Sequence, residues 1–398
     1  MTTSTLAKRQ LPTGIWILGF VSLLMDISSE IIHSLLPIYL VSVLGASALM
    51  VGLIEGAAEA TAPIIKVFSG ALSDYLGKRK GLAVIGYGLG ALTKPVFALA
   101  PGLGWILAAR LTDRVGKGIR GAPRDALVAD LAPPEIRGAA YGLRQSLDTV
   151  GAFLGPLLAI GLMLLWQNDY QAVFWVAVVP AALAVLLLVV GIREPEKPIT
   201  ERRTNPISRA SLKQLSRAYW AVVAIGAVFT LARFSEAFLL LRAEDGGLDV
   251  AWLPVVLVVM NIAYSLSAYP FGKLSDRMDH RQLLIMGLVV LFVADLVLAL
   301  GNHWLWTLVG SVIWGLHMGM TQGLLATMVA HTAPKALRGT AFGFFNLVGG
   351  VALFLASAVA GLLWTWAGPA LTFYAGAAFC LLTIGLMMCQ GKPAVEPT

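Results

Sequence analysis

The stretch Gly70-Ala-Leu-Ser73-Asp74-Tyr-Leu-Gly77-Lys-Arg79 recurs as Gly272-Lys-Leu-Ser275-Asp276-Arg-Met-Asp279-His-Arg281, 202 positions further on. A second pair repeats at nearly the same offset. Ala132-Pro133-Pro-Glu-Ile-Arg137-Gly138-Ala-Ala140-Tyr-Gly142 is matched by Ala333-Pro334-Lys-Ala-Leu-Arg338-Gly339-Thr-Ala341-Phe-Gly343, 201 positions on. Two independent matches at one spacing mark an internal duplication, and repeated halves are a common plan of membrane transporters.

Outward from these segments the chain is apolar. Stretches long enough to span a bilayer fall at 14–41, 48–72, 81–100, 103–126, 138–165, 171–191, 218–241, 250–273, 282–300, 304–328, 339–364 and 370–390, each near or above the ~20 residues a spanning helix needs. Of the 398 residues, 58% are hydrophobic and 13% charged, and mean hydropathy is +0.79; soluble proteins carry about 25% charge. Twelve spans take up about 240 residues, which leaves no room for a large soluble domain. A soluble oxidoreductase, hydrolase or transcription factor is excluded.

The net charge of +7 gains its meaning from its distribution. Of the 29 Lys and Arg, 19 fall in segments assigned to the cytoplasm, counting Lys273 at the inner end of its span, nine lie within the spans and one, Arg242, in an outer loop. This obeys the rule that basic residues stay inside and puts both termini in the cytoplasm. The segment 192–217 has seven basic and three acidic residues with Pro195, Pro198 and Pro206. It reads as a linker between a bundle of six helices over 1–191 and another over 218–398. Lys8 and Arg9 precede a first apolar stretch too long for a signal peptide, so that helix is retained. Cys380 and Cys389 lie on opposite sides of the last helix and suggest no disulfide, redox pair or zinc site.

These motifs carry a resemblance. Gly70 to Arg79 resembles the loop 2–3 signature of the major facilitator superfamily, and 272–281 its loop 8–9 counterpart, with Tyr75 and Asp279 as departures. Arg110, followed by Gly116 and Gly118, resembles the fourth-helix arginine motif, with Asp113 and Arg114 in place of the usual Gln-Gly. Gly142, Gly151, Gly155 and Pro156 are similar to the fifth-helix antiporter signature of the drug:proton efflux branches, although Ala159 and Ile160 replace two further glycines. The resemblance implies an all-α membrane protein of twelve transmembrane helices in two pseudo-symmetric six-helix bundles. It implies transport by alternating access and leaves the cargo open, since one fold serves many solutes.

Charged side chains inside a bilayer cost about 2.5–3.5 kcal/mol each on insertion scales, and the first half holds many. At about 100° per residue, Asp26, Glu30 and His33 share one face of the first helix, with Ser22 and Pro37. Glu55, Glu59 and Lys66 share one face of the second, and Arg110, Asp113, Arg114, Lys117, Arg120 and Arg124 one side of the fourth. Arg144 and Asp148 stand one turn apart on the fifth. A carboxylate whose cationic partner changes between two states can bind and release a proton, so the proton-coupling candidates are Asp26, Glu30, Glu55, Glu59 and Asp148, with Asp26 and Glu30 preferred as a pair. The competing reading is a static ion-pair network that fastens the bundle.

Substrate and cavity candidates are Arg110, Asp113, Arg114, Lys117 and Arg144, together with Arg233, Glu236, Asn261, His317, Gln322 and Asn346 from the quieter second half, where Asp295 is a further polar position. His33, His317 and His331 read as packing residues, and Arg120 and Arg124 as residues of the cytoplasmic end that anchor at the interface or close the inner gate. The resemblance assigns gating to Gly70, Asp74, Arg79, Gly272, Asp276 and Arg281, and to Gly151, Gly155 and Pro156 of the fifth helix, where Gly142, Gly151 and Gly155 also fit close helix packing and Pro156 a kink.

The expected function is proton-coupled efflux of a small organic solute across the cytoplasmic (inner) membrane, driven by the proton gradient with no cofactor. The alternative is proton-coupled uptake or exchange of a small anionic metabolite, phosphate ester or metal chelate. A non-transporting receptor or scaffold is the reading from another class. No catalytic set, metal-ligand cluster or phosphate loop suggests an enzyme. The partners are the lipid bilayer, a small-molecule substrate and protons, with no nucleic acid, and the chain is expected to work as a monomer.

Overall fold

The computed structural model describes residues 11–76, 78–133, 136–193, 212, 214–275, 277–321, 323–334 and 337–389, with Ala71 and Asp74 by backbone alone. The described elements are helical. In the first group are α1 (Thr13–His33), α2 (Ala48–Leu76), α3 (Arg79–Leu99), α4 (Leu103–Leu131), α5 (Arg137–Leu165) and α6 (Tyr170–Gly191). The second group comprises α7 (Arg217–Leu231), α8 (Ala237–Asp245), α9 (Val255–Ser275), α10 (His280–Leu300), α11 (Trp304–Thr321), α12 (Leu324–Thr332), α13 (Arg338–Ala367) and α14 (Pro369–Cys389). Among the described residues, ten helical segments are long and apolar enough to cross a membrane, which makes this a multi-pass membrane protein. α4 has the length but too many charges, and α7 is short at 15 residues.

Three stretches that read as single helices are broken. α1 stops at His33, just before Pro37, and a short turn Leu36–Ile38 and a π turn Tyr39–Val43 carry the chain onward. Proline lacks the N–H that a helix interior requires. α11 and α12 are separated at Gly323, whose φ of +75° favours a residue without a side chain. The break between α7 and α8, over 232–236, contains neither Pro nor Gly. Its backbone is held by Ala232 N–H to Phe229 C=O, Arg233 N–H to Thr230 C=O, and Ser235 N–H to the Ser357 hydroxyl of α13 at 3.1 Å. Non-helical backbone inside a bundle of spanning helices persists where protein groups satisfy it. Asp279, where the first repeat has Gly77, caps α10 by accepting from Arg281 N–H at 3.1 Å.

Arg242 is a correction. Rather than lying in an outer loop, it is buried in α8, where it donates to the Leu298 carbonyl at 2.9 Å and to that of Gly301, and pairs with Asp245. Its charge serves the last turn of α10, whose carbonyls lack helical partners.

The apolar core is continuous at one end and divided at the other. Ile31, Leu36, Tyr39, Ile54, Ile106, Met163 and Phe174 of the first group join one cluster with Phe238, Leu241, Leu257, Trp314 and Phe373 of the second. All the first-group members of this cluster sit at the end away from residues 70–79. At the 70–79 end, among the described residues, Ile15, Leu18, Ala83, Tyr87, Leu127 and Leu188 form a cluster with no member from α7–α14, and Tyr219, Val223, Val329 and Ala341 form another with none from α1–α6. The two groups are therefore sealed together at one end and parted at the other, where an opening of about 540 Å3 lies between α5 and α9.

α2 and α13 form the longest seam between the groups. Ala48, Gly52, Gly56 and Ala60 recur every fourth residue on α2, and a side chain at 52 or 56 would run into Ser357. Across the seam, a side chain at 350 would meet the Ala60 carbonyl at 3.1 Å, and one at 361 would strike the carbonyl of Ala48. Small residues at this spacing let helix backbones approach closely in lipid. We expect Gly56→Leu to lower stability by about 1–3 kcal/mol through overpacking, seen as a drop in melting temperature of the detergent-purified protein. Gly88→Leu, where an added Cβ meets nothing within 4 Å, should leave it unchanged; equal behaviour of the two variants would refute the seam.

Candidate functional site

The site is built on α4, whose polar side faces three neighbours. Toward α2, Arg110 donates to Glu55 at 2.6 Å and stands 3.7 Å from Glu59, while Arg114 pairs with Glu59 at 2.8 Å. Toward α3, Asp113 accepts from Lys94 at 2.9 Å, both side chains buried. Lys94 also reaches Ser29 on α1 at 3.2 Å. Helices α3 and α4 approach this closely because Gly86 and Gly90 face Gly116. Arg120 lies over the Tyr87 ring at 4.5 Å, a buried cation–π contact.

Toward the 70–79 end, Asp125 gathers cations. Lys66 lies 3.4 Å from it, Arg144 3.0 Å and its neighbour Arg124 3.3 Å. Arg144 also pairs with Asp148 at 2.5 Å, and Arg124 donates to Ser22 at 3.3 Å. Arg120 and Arg124 thus hold α3 and α1 from inside the bundle, and the anchor reading is corrected. Arg79 pairs with Asp130 and donates to the Ala126 carbonyl at 3.0 Å, while Arg281 donates to the Met387 carbonyl of α14. Both of these contacts stay within the arginine's own group.

The reading of His33 is also corrected. It stands between two carboxylates, with Nδ1 3.4 Å from Glu30 and Nε2 3.7 Å from Glu55, so it is a polar bridge between α1 and α2 and not a packing residue. His33, Glu55 and Glu59 also sit close enough to share a cation. Arg110 and Arg114 already fill that role. Asp26 differs from its neighbours: among the described residues it makes no ion pair within 4.0 Å, and the charges around it are Asp148, Lys117, Arg120 and Arg124. The predicted pair therefore separates, with Glu30 tied to His33 and Asp26 alone. Gly151 and Gly155 of α5 seat α1 at these positions, since an added Cβ would meet Asp26 Cβ at 2.9 Å and the Ile27 carbonyl at 3.0 Å respectively. Gly142 has open space instead of a close neighbour. Pro156 lies within an unbroken α5.

A cavity of about 370 Å3 lies between the groups. The first group contributes Glu30, His33, Glu59, Arg114 and Lys117; the second contributes Phe229, Thr230, Arg233, Ser235, Glu236, Asn261 and Trp314. The α7–α8 break at 232–236 forms part of its wall. Of the remaining candidates, Glu55, Arg110 and Asp113 stand behind the wall as buried partners, and Arg144 and Asp148 lie toward the open end. His317 is buried against the Gly287 carbonyl at 2.8 Å. Asp295 is fully buried, with neither carboxylate oxygen hydrogen-bonded among the described residues, and Asn346 is half-buried on α13 outside the cavity lining. Gly70 faces Ala122 at 3.4 Å and Gly272 faces nothing within 4 Å. Gln322, Asp276 and the side chain of Asp74 lie outside the described residues, as does most of the linker 192–217.

Sequence reasoning misses Lys94, Asp125 and Asp130. For Lys94 a signal exists, a lone lysine deep in an apolar stretch; Asp125 and Asp130 fall at the helix end, where charges are ordinary.

The profile of the Major Facilitator Superfamily matches residues 18–260 and 237–395. The chain belongs to this superfamily. A relative in Methanocaldococcus jannaschii, described as an uncharacterised MFS-type transporter, is 32% identical over 96% of this chain and 95% of its own length. The multidrug resistance protein MdtH of Photorhabdus laumondii is 28% identical over 84% of this chain and 82% of its own. Among solved structures, the nucleoside transporter NupG superposes with a TM-score of 0.77 at 13% identity, covering 94% of this chain and 99% of that one. A bacterial homologue of the human lysosomal transporter Spinster, solved inward-facing and unoccupied, superposes with a TM-score of 0.73 at 15% identity, covering 98% and 100%. At those identities the likeness is one of fold.

Proposed function

We propose that the protein is a proton-coupled secondary transporter that exports a small organic solute across the cytoplasmic membrane. In this reading the chain crosses twelve times, α4 and the α7–α8 pair adding to the ten apolar segments. Both termini are cytoplasmic, and residues 192–217 link bundles 1–191 and 218–398. The observation that carries the reading is the cavity, lined by charged and polar residues of both groups, sealed by a shared core on one side and approached through parted cores on the other. That is the geometry of one end state of alternating access, in which two halves rock about a site near the midplane. Export is supported by the α5 glycines seated on Asp26 and Glu30 and by the MdtH relatives. A receptor or scaffold has no need of a polar cavity between two parted halves.

Asp26 is the assigned proton carrier, because a carboxylate that lacks a fixed counter-ion changes its surroundings most on protonation. In liposomes with an imposed pH gradient, purified protein is expected to move protons only when a transported solute is present. Absence of any solute-dependent proton movement, across a panel that includes the relatives' classes of drug, would sink the coupling.

A further inference from the structure

The charges that line the cavity are not all paired with one another. Glu59 is neutralised by Arg114 at 2.8 Å, and Glu30 is bonded to His33 at 3.4 Å. Two cations and one acid are left without an ion pair among the described residues. Lys117, from α4 of the first group, is exposed to the cavity and has no carboxylate within 4.0 Å among the described residues. Arg233, at the α7–α8 break of the second group, likewise has no ion pair within 4.0 Å among them; its guanidinium carbon lies 5.7 Å from the centre of the Phe229 ring. Among the described residues, the one acid in the lining without an ion pair is Glu236, three positions from Arg233 and at the same break.

The apolar part of the wall is equally specific. Phe229, Phe234 and Trp314 line the same space, and Phe234 and Trp314 are locked 5.4 Å apart, centroid to centroid, within a larger aromatic group. Packed rings beside unpaired cations suit a ligand with an apolar body and a charged head. Thr230, Ser235 and Asn261 add neutral donors nearby.

We propose that the cavity binds an organic anion, its carboxylate or phosphate held between Lys117 and Arg233 and its apolar body against Phe229, Phe234 and Trp314. An unpaired cation in a low-dielectric cavity is held at a cost, and an anionic ligand removes that cost for both cations at once. Because the two cations belong to different groups, the same anion draws the two walls of the cavity toward each other. The inference rests on the transporter reading but not on the direction of transport.

The test uses full-length purified protein and four probes that share a phenyl ring: phenyl phosphate, phenylalanine, phenethylamine and benzyl alcohol. Thermal melting and tryptophan fluorescence report binding. Phenyl phosphate is expected to raise the melting temperature and the amine and alcohol are not. Lys117→Ala and Arg233→Ala should each weaken phenyl phosphate about tenfold or more, as for loss of one charge-assisted contact, and Lys117→Arg should retain most of the affinity. Lys117 is exposed to the cavity, so its substitution leaves packing intact. Glu236→Gln should tighten the anion.

Stabilisation by phenethylamine alone, or by phenylalanine alone with loss on Glu236→Gln, overturns the proposal in favour of a cationic or zwitterionic cargo. Failure of phenyl phosphate to bind, in a preparation whose liposomes still couple protons to another solute, overturns the anion and leaves the transporter. Binding without any transport leaves the site and removes the transporter reading.

Discussion

Asp26→Asn is expected to abolish movement of solute driven by a proton gradient while leaving solute exchange at equal pH intact. Asn keeps the size of the side chain and fixes it in the uncharged form. Among the described residues Asp26 has no ion pair within 4.0 Å, and its charge is felt by Asp148, Lys117, Arg120 and Arg124, so loss or gain of one proton redistributes attraction between α1, α4 and α5. Glu30→Gln should do less to the coupling, because Glu30 already shares its charge with His33. Counterflow and gradient-driven uptake in the same proteoliposomes separate the two effects. Wild-type gradient-driven transport in Asp26→Asn would move the proton site to Glu30 or Asp148.

Arg110→Ala is expected to be the most destabilising single substitution in the charge network. Glu55 is fully buried, Arg110 is 3% exposed, and the two lie 2.6 Å apart. Removing one member of a buried pair strands the other and costs about 3–5 kcal/mol, whereas replacing both with apolar groups of similar volume is often near neutral. His33, 3.7 Å from Glu55, is too distant to replace the arginine. Melting of the single variant in detergent should fall sharply or the protein should fail to accumulate in the membrane. Arg110→Met combined with Glu55→Met should recover most of the loss. If the double variant is as unstable as the single, the pair is not what holds α2 to α4.

Much of this architecture is legible in the amino-acid sequence. The twelve apolar stretches place nearly every helix, since a run of about 20 apolar residues has few alternatives in a bilayer. The faces of α1, α2 and α4 follow from helical periodicity alone, and they meet much as expected, with Arg110 and Arg114 on Glu55 and Glu59. What periodicity does not carry is partner choice. That Lys66 pairs with Asp125 and not with the acids on its own helix, or that Asp113 turns away to Lys94, depends on how α2, α3 and α4 are rotated about their axes. The 232–236 break is invisible in the sequence for a different reason: no Pro or Gly marks it, and it is held by Ser357, 122 positions away. Arg242 reads as a loop residue because a positive charge beside Glu244 and Asp245 looks like a loop, although it caps the carbonyls at the end of α10.

The ion pairs that tie α1 to α5 together occupy one half of the molecule, while the aromatic and polar wall made by Phe229, Thr230, Asn261 and Trp314 belongs to the other. Such a division keeps the ion-pair network apart from most of the apolar wall. Substitutions on α7, α9 and α11 reshape that wall without disturbing a single ion pair on α1 to α5, so grafting the wall of a relative onto this chain, with Lys117 of α4 kept, is expected to change what the cavity accepts.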